Sequence, residues 1–300
     1  MTRISLLGFI LATVLSAQIR PLHTRDLTRL SQPQIAEQLR TNDIIFIPVG
    51  AVETNGVEPS GRDYVYPLAY ASIMAEEAKG LYLPGLVWSY PGTTSLASAS
   101  IYVSPQSGTQ FLKQLAHSLL RQGFRRQVYL SASHGPAPLT VGTMVREFFE
   151  ETQVPILYIN MDMILPRLSL DARQRERLLY GAHAITSRLE DLPLKGDYGS
   201  AVTQAPADIP ENEGLRELGK LGFSGSLTLG SWISHSMAHG GTAALPATRE
   251  EREAWGKEGT ALIHKIVREM KIPEAMQALR KHDQFTQQWI VPHFSHRPAK

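Results

Sequence analysis

The sequence predicts an α/β fold, a three-layer α/β/α sandwich with a largely parallel central sheet. Three observations predict it. Short β-branched apolar runs at 44–49, 127–131 and 155–159 alternate with amphipathic stretches long enough for helices, and that alternation is what builds parallel sheets. The run 44–49 is apolar throughout instead of alternating with polar residues, as a strand buried on both faces is. The 300 residues with 43% hydrophobic content supply a core large enough for one sizeable α/β domain. No repeat, low-complexity block or linker-like change of composition divides the chain, so 18–300 is read as a single domain.

Residues 1–17 are set apart from that domain. One basic residue, Arg3, precedes the apolar run Ile4 to Leu15 and the small pair Ser16-Ala17, the layout of a secretory signal peptide. The run is too short to span a bilayer comfortably, and Pro21 stops a helix from continuing. The mature chain is therefore expected to be soluble, free of the membrane after cleavage, and periplasmic or secreted.

The elements then follow in order. Ile44 to Val49 ends in Gly50 and reads as a buried strand. Residues 64–79 read as a helix, and Leu81 to Trp88 as a further strand ending at the turn Tyr90-Pro91-Gly92. Ser107 to Gln122 is a helix with Phe111, Leu115 and Leu119 on one face, stopped by Gly123. The strand 127–131, a helix over 140–151 and the strand 155–159 come next. Asp171 to Leu192 carries the stripe Leu178, Ala182, Ile185, Leu189 of one helix. Thr248 with Glu251 three residues on opens the last long helix, to Met270. The Gly-, Pro- and Ser-rich stretch from Pro193 to Pro246 reads as long loops, which in a compact domain are usually functional.

Composition excludes several functions. Thirty basic against 28 acidic residues give a net charge of +2 with no dense basic tract, which does not suit a nucleic-acid partner. With no cysteine there is no disulfide scaffold, thiolate metal site or cysteine nucleophile. Serine hydrolysis is disfavoured as well: Ser133 beside His134 is no triad, and no G-x-S-x-G elbow occurs.

Ligands of parallel α/β sheets bind outside the carboxyl ends of the strands, and two such ends carry metal-competent groups. The strand 44–49 is followed by a turn with Glu53, Asn55, Glu58 and Asp63, and the strand 127–131 by Ser133-His134-Gly135. Two carboxylates and a neutral imidazole suit Zn²⁺, Mn²⁺ or Fe²⁺ and leave positions open for water and substrate. Residues of these types on loops more often face solvent or cap helices, so the set alone is weak. His235 and His239 are spaced to share one helical face, but Gly240-Gly241 points to a loop and the Glu of H-E-x-x-H is missing.

The segment Pro48-Val49-Gly50-Ala51-Val52-Glu53-Thr54-Asn55-Gly56 resembles the creatininase (creatinine amidohydrolase) family motif P-V-G-S-x-E-Q-H-G. The resemblance continues in Tyr90-Pro91-Gly92-Thr93-Thr94-Ser95-Leu96, in Gly123-Phe124-Arg125 through Ser133-His134-Gly135, and in Gly240-Gly241 with Pro246-Ala247-Thr248. It spans about residues 25–270. It implies a metal centre that activates water against a cyclic or linear amide, with Glu53, Asp63 and His134 as ligands of one metal and Asp63 in the bridging place. It also implies substrate contacts from His235 or His239 and a homo-oligomer.

The departures fall on one side. Asn55 stands where the family has a His ligand and Glu58 where it has the next His, and Ile185 of Ile185-Thr186-Ser187 occupies an acidic position. The resemblance therefore implies one divalent metal, Zn or Mn with Fe as an alternative, in preference to two. His183 is a spare imidazole, read as a ligand or as a hydrogen-bonded core residue. The expectation is an exported metal-dependent amidohydrolase for a small amide, lactam or peptide bond, with Glu58 as base. The alternative is a ligand-binding protein that kept the scaffold and lost the chemistry.

Overall fold

A computed structural model describes residues 22–86, 99–132, 138–198, 213–222 and 245–294. Residues 1–17, expected to be a signal peptide, lie outside these, as do Ser133, His134, His235 and His239.

Four strands form one parallel sheet: β1 (Ile44–Pro48), β2 (Leu81–Tyr82), β3 (Arg126–Ser131) and β4 (Leu157–Asn160), in the order β2-β1-β3-β4. Helices α1 (Gln32–Thr41), α2 (Arg62–Glu77), α3 (Pro105–Gln122) and α4 (Thr143–Thr152) precede or connect the strands. They are followed by a single turn α5 (Met161–Ile164), then α6 (Ala172–Ile185), α7 (Glu213–Lys220), α8 (Arg249–Glu269), α9 (Ile272–Phe285) and a single turn α10 (Val291–Phe294).

Alternate strand residues feed two cores, as a two-residue period requires. Ile44, Phe46, Val128 and Leu130 pack on one face with Tyr70 and Met74 of α2, Leu178 of α6, Ile263 and Ile266 of α8, and Met276 of α9. Ile45, Ile47 and Tyr129 point the other way, onto Leu112 and Ala116 of α3, Met144 and Phe148 of α4, and Leu39 of α1. Helices thus cover both faces of the sheet, giving the three predicted layers.

The strand order locates the binding crevice. From β1 the chain crosses through α2 to β2 on one side, whereas β3 and β4 lie on the other. The order therefore reverses between β1 and β3, and a crevice opens where their carboxyl ends diverge. Pro48 is in register with Leu130 there.

Several boundaries differ from the sequence reading. Among the described residues of the strand expected over 81–88, pairing is confined to Leu81–Tyr82, with an isolated bridge from Leu86 to Val49. Pro84 has no N–H to give, and Gly85 at φ +103° turns the chain. On α3 the buried face is Gly108, Leu112, Ala116 and Leu119; Phe111 is 49% exposed, so size was a poor guide to facing. The helix expected over 171–192 stops at Ile185. Asp171 caps its start, but Ser187 takes φ +58°, and Leu189 falls in a separate 3-10 turn. The 193–246 stretch includes the short α7. Helices α1, α9 and α10 were not anticipated.

Candidate metal and substrate site

The turn that follows β1 is fastened to both neighbours. Val49 donates its N–H to Leu130 O at 2.7 Å, and Gly50 donates to Leu86 O at 2.9 Å. Gly50 is required by a close approach: a Cβ there would lie 2.6 Å from Tyr64 Cβ, so the end of β1 runs directly against the first turn of α2. Ile101 N–H to Val52 O at 2.9 Å and Thr54 N–H to Ser100 Oγ at 3.1 Å pin the turn from a third side.

Within the turn, Glu53 N–H bonds Ser60 O at 3.0 Å, Glu58 N–H bonds Asn55 O at 3.1 Å and Arg62 N–H bonds Pro59 O at 2.9 Å. These bonds fold eleven residues into a loop that returns to α2, placing Glu53, Asn55, Glu58 and Asp63 together on one turn. Glu53, Asn55 and Glu58 are buried at 7%, 6% and 7% exposure. Asp63 is half-buried in the first turn of α2, where the helix's positive end favours a carboxylate. The Asn55 amide is turned back onto Glu53 O at 3.3 Å.

Glu58 faces away from open space. Its Oε2 accepts from Arg62 Nη1 at 2.5 Å. Burial pushes its carboxyl above the usual range; Arg62 pulls the other way, and Asp63 adds to the rise. Across the turn stands α6. Burial raises the Tyr180 phenol, and the Glu58 charge raises it further. Tyr180 meets Trp255 edge-on at 4.9 Å between ring centroids, and the Arg177 guanidinium lies 3.4 Å over the same indole.

His183 is fully buried. Its Nδ1 lies 3.0 Å from Arg188 O, so that nitrogen carries the proton and donates. Nε2 has no hydrogen-bond partner among the described residues. Burial holds the imidazole below its ordinary pKa.

Four of the predicted site residues are therefore gathered on one turn beside the crevice. His134 follows Ser131, the last residue of β3, by three positions, and it lies outside the described residues, as do His235 and His239. Arg62 was missed in the sequence, although its four-residue spacing from Glu58 was a legible signal for an ion pair.

The donor chemistry suits a divalent ion. Glu53 and Asp63 offer hard carboxylate oxygens at the crevice. Among the described residues no three His, Asp or Glu side chains form a metal-holding group, so a third donor must come from elsewhere. His134 lies three positions past the end of β3, the strand bonded to β1, and outside the described residues. Asn55 donates its amide N–H to Glu53 O, and Glu58 Oε2 is held by Arg62.

Comparison with known proteins places the fold. The family model "Creatininase: Creatinine amidohydrolase" matches residues 28–187. Among solved structures, a mutant creatininase complexed with creatine superposes with a TM-score of 0.52 at 18% identity, over 82% of this chain and 98% of that one. A mutant creatininase of Zn–Zn type gives 0.51 at 16% over the same shares. A creatinine amidohydrolase (creatininase) gives 0.50 at 16%, over 82% and 97%. No protein of curated function matches the sequence. With a parallel sheet of this order, an acidic turn at its switch point and a family match over more than half its length, the chain belongs to the creatininase family.

Proposed function

We propose that this chain is a metal-dependent amidohydrolase acting on a small amide, lactam or peptide bond. The observation that carries this reading is the position of the Glu53–Asp63 turn, which leaves β1 at the crevice between β1 and β3, beside the strand that leads to His134. Glu53, Asp63 and His134 would hold one divalent ion, Zn or Mn with Fe as an alternative. Such an ion, when bound, lowers the pKa of a water and polarises an amide carbonyl.

The chain's own residues position the rest. The backbone bonds of the turn fix the main chain that carries Glu53 and Asp63, which limits the reorganisation that binding requires. Glu58 is proposed as the base, with its Oε2 held by Arg62. His235 and His239 are assigned substrate contacts. Residues 1–17 are assigned as an export signal, and the mature chain as a periplasmic or secreted homo-oligomer.

The test is the metal content per mature chain by elemental analysis, together with a screen of amides and lactams. About one tightly held ion, lost in both Glu53→Ala and His134→Ala along with hydrolysis, is the expected result. A chain that takes up no ion after Zn²⁺ and Mn²⁺ are supplied is not this enzyme, and a ligand-binding role on the same scaffold would replace the reading.

A further inference from the structure

Two exposed aromatics stand beside an apolar cleft. The cleft, of about 240 Å³, is lined by Pro155, Ile156 and Leu157 at the start of β4, by Val145 and Phe149 of α4, and by His282 of α9. Phe285 and Trp289 follow His282 by three and seven positions, the spacing of one helical face. They are 53% and 56% exposed, and α9 runs on to Trp289 through a π-helical turn, Thr286–Ile290. A single exposed aromatic is ordinary, whereas a pair beside an apolar cleft is a patch of the kind that marks an interaction site.

The helix that carries the pair is held rigidly. Asp283 accepts from Arg125 Nη2 at 2.7 Å, and Gln287 Nε2 donates to Gln153 O at 2.9 Å. The aromatic ridge is thus fixed in advance, which lowers the ordering cost of association. Ridge and groove lie on the same surface, so a two-fold axis can seat each copy's ridge in the other's groove. The charges suit that pairing: Glu150 is exposed on α4, and Arg280 and Lys281 are exposed on α9. Placing α9 against α4 of a second copy joins opposite charges, while α9 against α9 sets like charges together. A covered Phe or Trp buries about 150–250 Å². Four half-exposed aromatics and the surface they cover would remove on the order of 800 Å² from water, the central part of the roughly 1,200–2,000 Å² of a stable interface.

We propose that the α4–α9 cleft and the Phe285–Trp289 ridge form a two-fold interface with a second copy of this chain, with Trp289 as the anchor that fills the cleft. This rests on the homo-oligomer assigned above and gives it a surface. It is independent of the hydrolytic reading.

Sedimentation velocity and light scattering of the mature chain over a range of concentrations test it. The expected species is a dimer or an even multiple of one. Each anchor is used twice, so Trp289→Ser should weaken association by about a hundredfold or more, and Phe285→Ser should weaken it as well. Phe111→Ser, at a comparably exposed aromatic of α3, should leave the assembly unchanged. Gly142 also lines the cleft, and a Cβ there meets nothing within 4 Å. Gly142→Phe should therefore block the groove from the opposite side and break the same contact. Circular dichroism shows whether each variant has folded, and the two sides of the contact are tested by separate variants.

An oligomer that persists in both Trp289→Ser and Gly142→Phe overturns this surface and keeps the homo-oligomer. A natural chain that is monomeric at every concentration removes both. Equal losses in Phe111→Ser and Trp289→Ser also overturn the proposal. Trp289-dependent binding of a monomeric chain to phosphatidylcholine–phosphatidylglycerol vesicles would assign the ridge to a lipid surface instead. None of these outcomes alters the metal and amide assays, which read the hydrolytic function separately.

Discussion

Gly181 of α6 and Gly259 of α8 meet backbone to backbone: a Cβ on Gly259 would lie 2.6 Å from Gly181 N and 2.8 Å from the Arg177 carbonyl carbon. No rotamer change relieves such a clash, because the obstructing atoms are main chain. The contact sets α6 close against α8, and so brings Tyr180 and Arg177 onto Trp255 while α6 faces the Glu58–Arg62 corner.

Gly259→Ala should therefore cost about 3 kcal/mol or more, at the upper end of overpacking effects. Gly142→Ala, where a Cβ meets nothing within 4 Å, should cost less than about 1 kcal/mol. Urea denaturation midpoints of the two variants check this, and equal losses would show that α6 and α8 can part cheaply.

His183 gives the fold a direction of pH sensitivity. Its folded pKa is lowered, so the imidazole is neutral in both folded and unfolded chains above its ordinary pKa of about 6.5. As the pH falls through that value the unfolded chain takes up the proton first. Stability then declines, with a slope no steeper than one proton's worth, about 1.4 kcal/mol per pH unit. Below the lowered folded value the slope ends. His183→Asn keeps a donor for Arg188 O and removes the titration. Denaturation measured from pH 7.5 to 5 should show a shallower acid loss in that variant than in the natural chain.

The Glu58–Arg62 pair predicts the opposite sign. Arg62→Met leaves a carboxylate almost fully buried without its partner and should cost about 2 to 3 kcal/mol near pH 7, below the range for completely buried pairs because Arg62 is partly exposed. The Glu58 pKa is already raised in the fold, and loss of Arg62 raises it further. A raised acid contributes stability below its unfolded pKa and loses it as the pH climbs through the folded one. Arg62→Met should thus recover stability on acidification from pH 7 to 5, relative to the natural chain. The double variant Glu58→Gln, Arg62→Met should show no such recovery.

How far the sequence revealed all this depended on the kind of signal. The first strand was legible because Ile44 to Val49 is apolar on both faces, and β3 because Val128, Tyr129 and Leu130 form a short run between a helix stop at Gly123 and the next amphipathic stretch. The acidic turn was legible as a turn because Gly50, Gly56 and Gly61 punctuate it. The facing of α3 was not, since Gly108 and Ala116 are buried by close approach, a tertiary fact, while Phe111 carries its bulk outward. Helix α9 was overlooked although Ile272, Met276 and Leu279, its buried residues, have helical spacing. The role of Glu58 was the least visible: its residue type suits a base, and only the fold shows its carboxylate closed onto Arg62.

Asn55 offers a last test, because the family resemblance implies a His ligand at that position. Restoring it alone should not restore a second metal. The Asn55 amide is buried and turned onto Glu53 O, and Arg62 keeps a fixed positive charge on the same turn. A divalent cation brought near that guanidinium is repelled in surroundings that screen poorly. Asn55→His should therefore leave the metal content where it is in the natural chain. Asn55→His combined with Arg62→Met should add a second equivalent, since Glu58 is then released as a carboxylate donor. Cobalt titration followed by absorbance counts the sites in each variant; a full second equivalent in Asn55→His alone would mean that Arg62 does not exclude the cation.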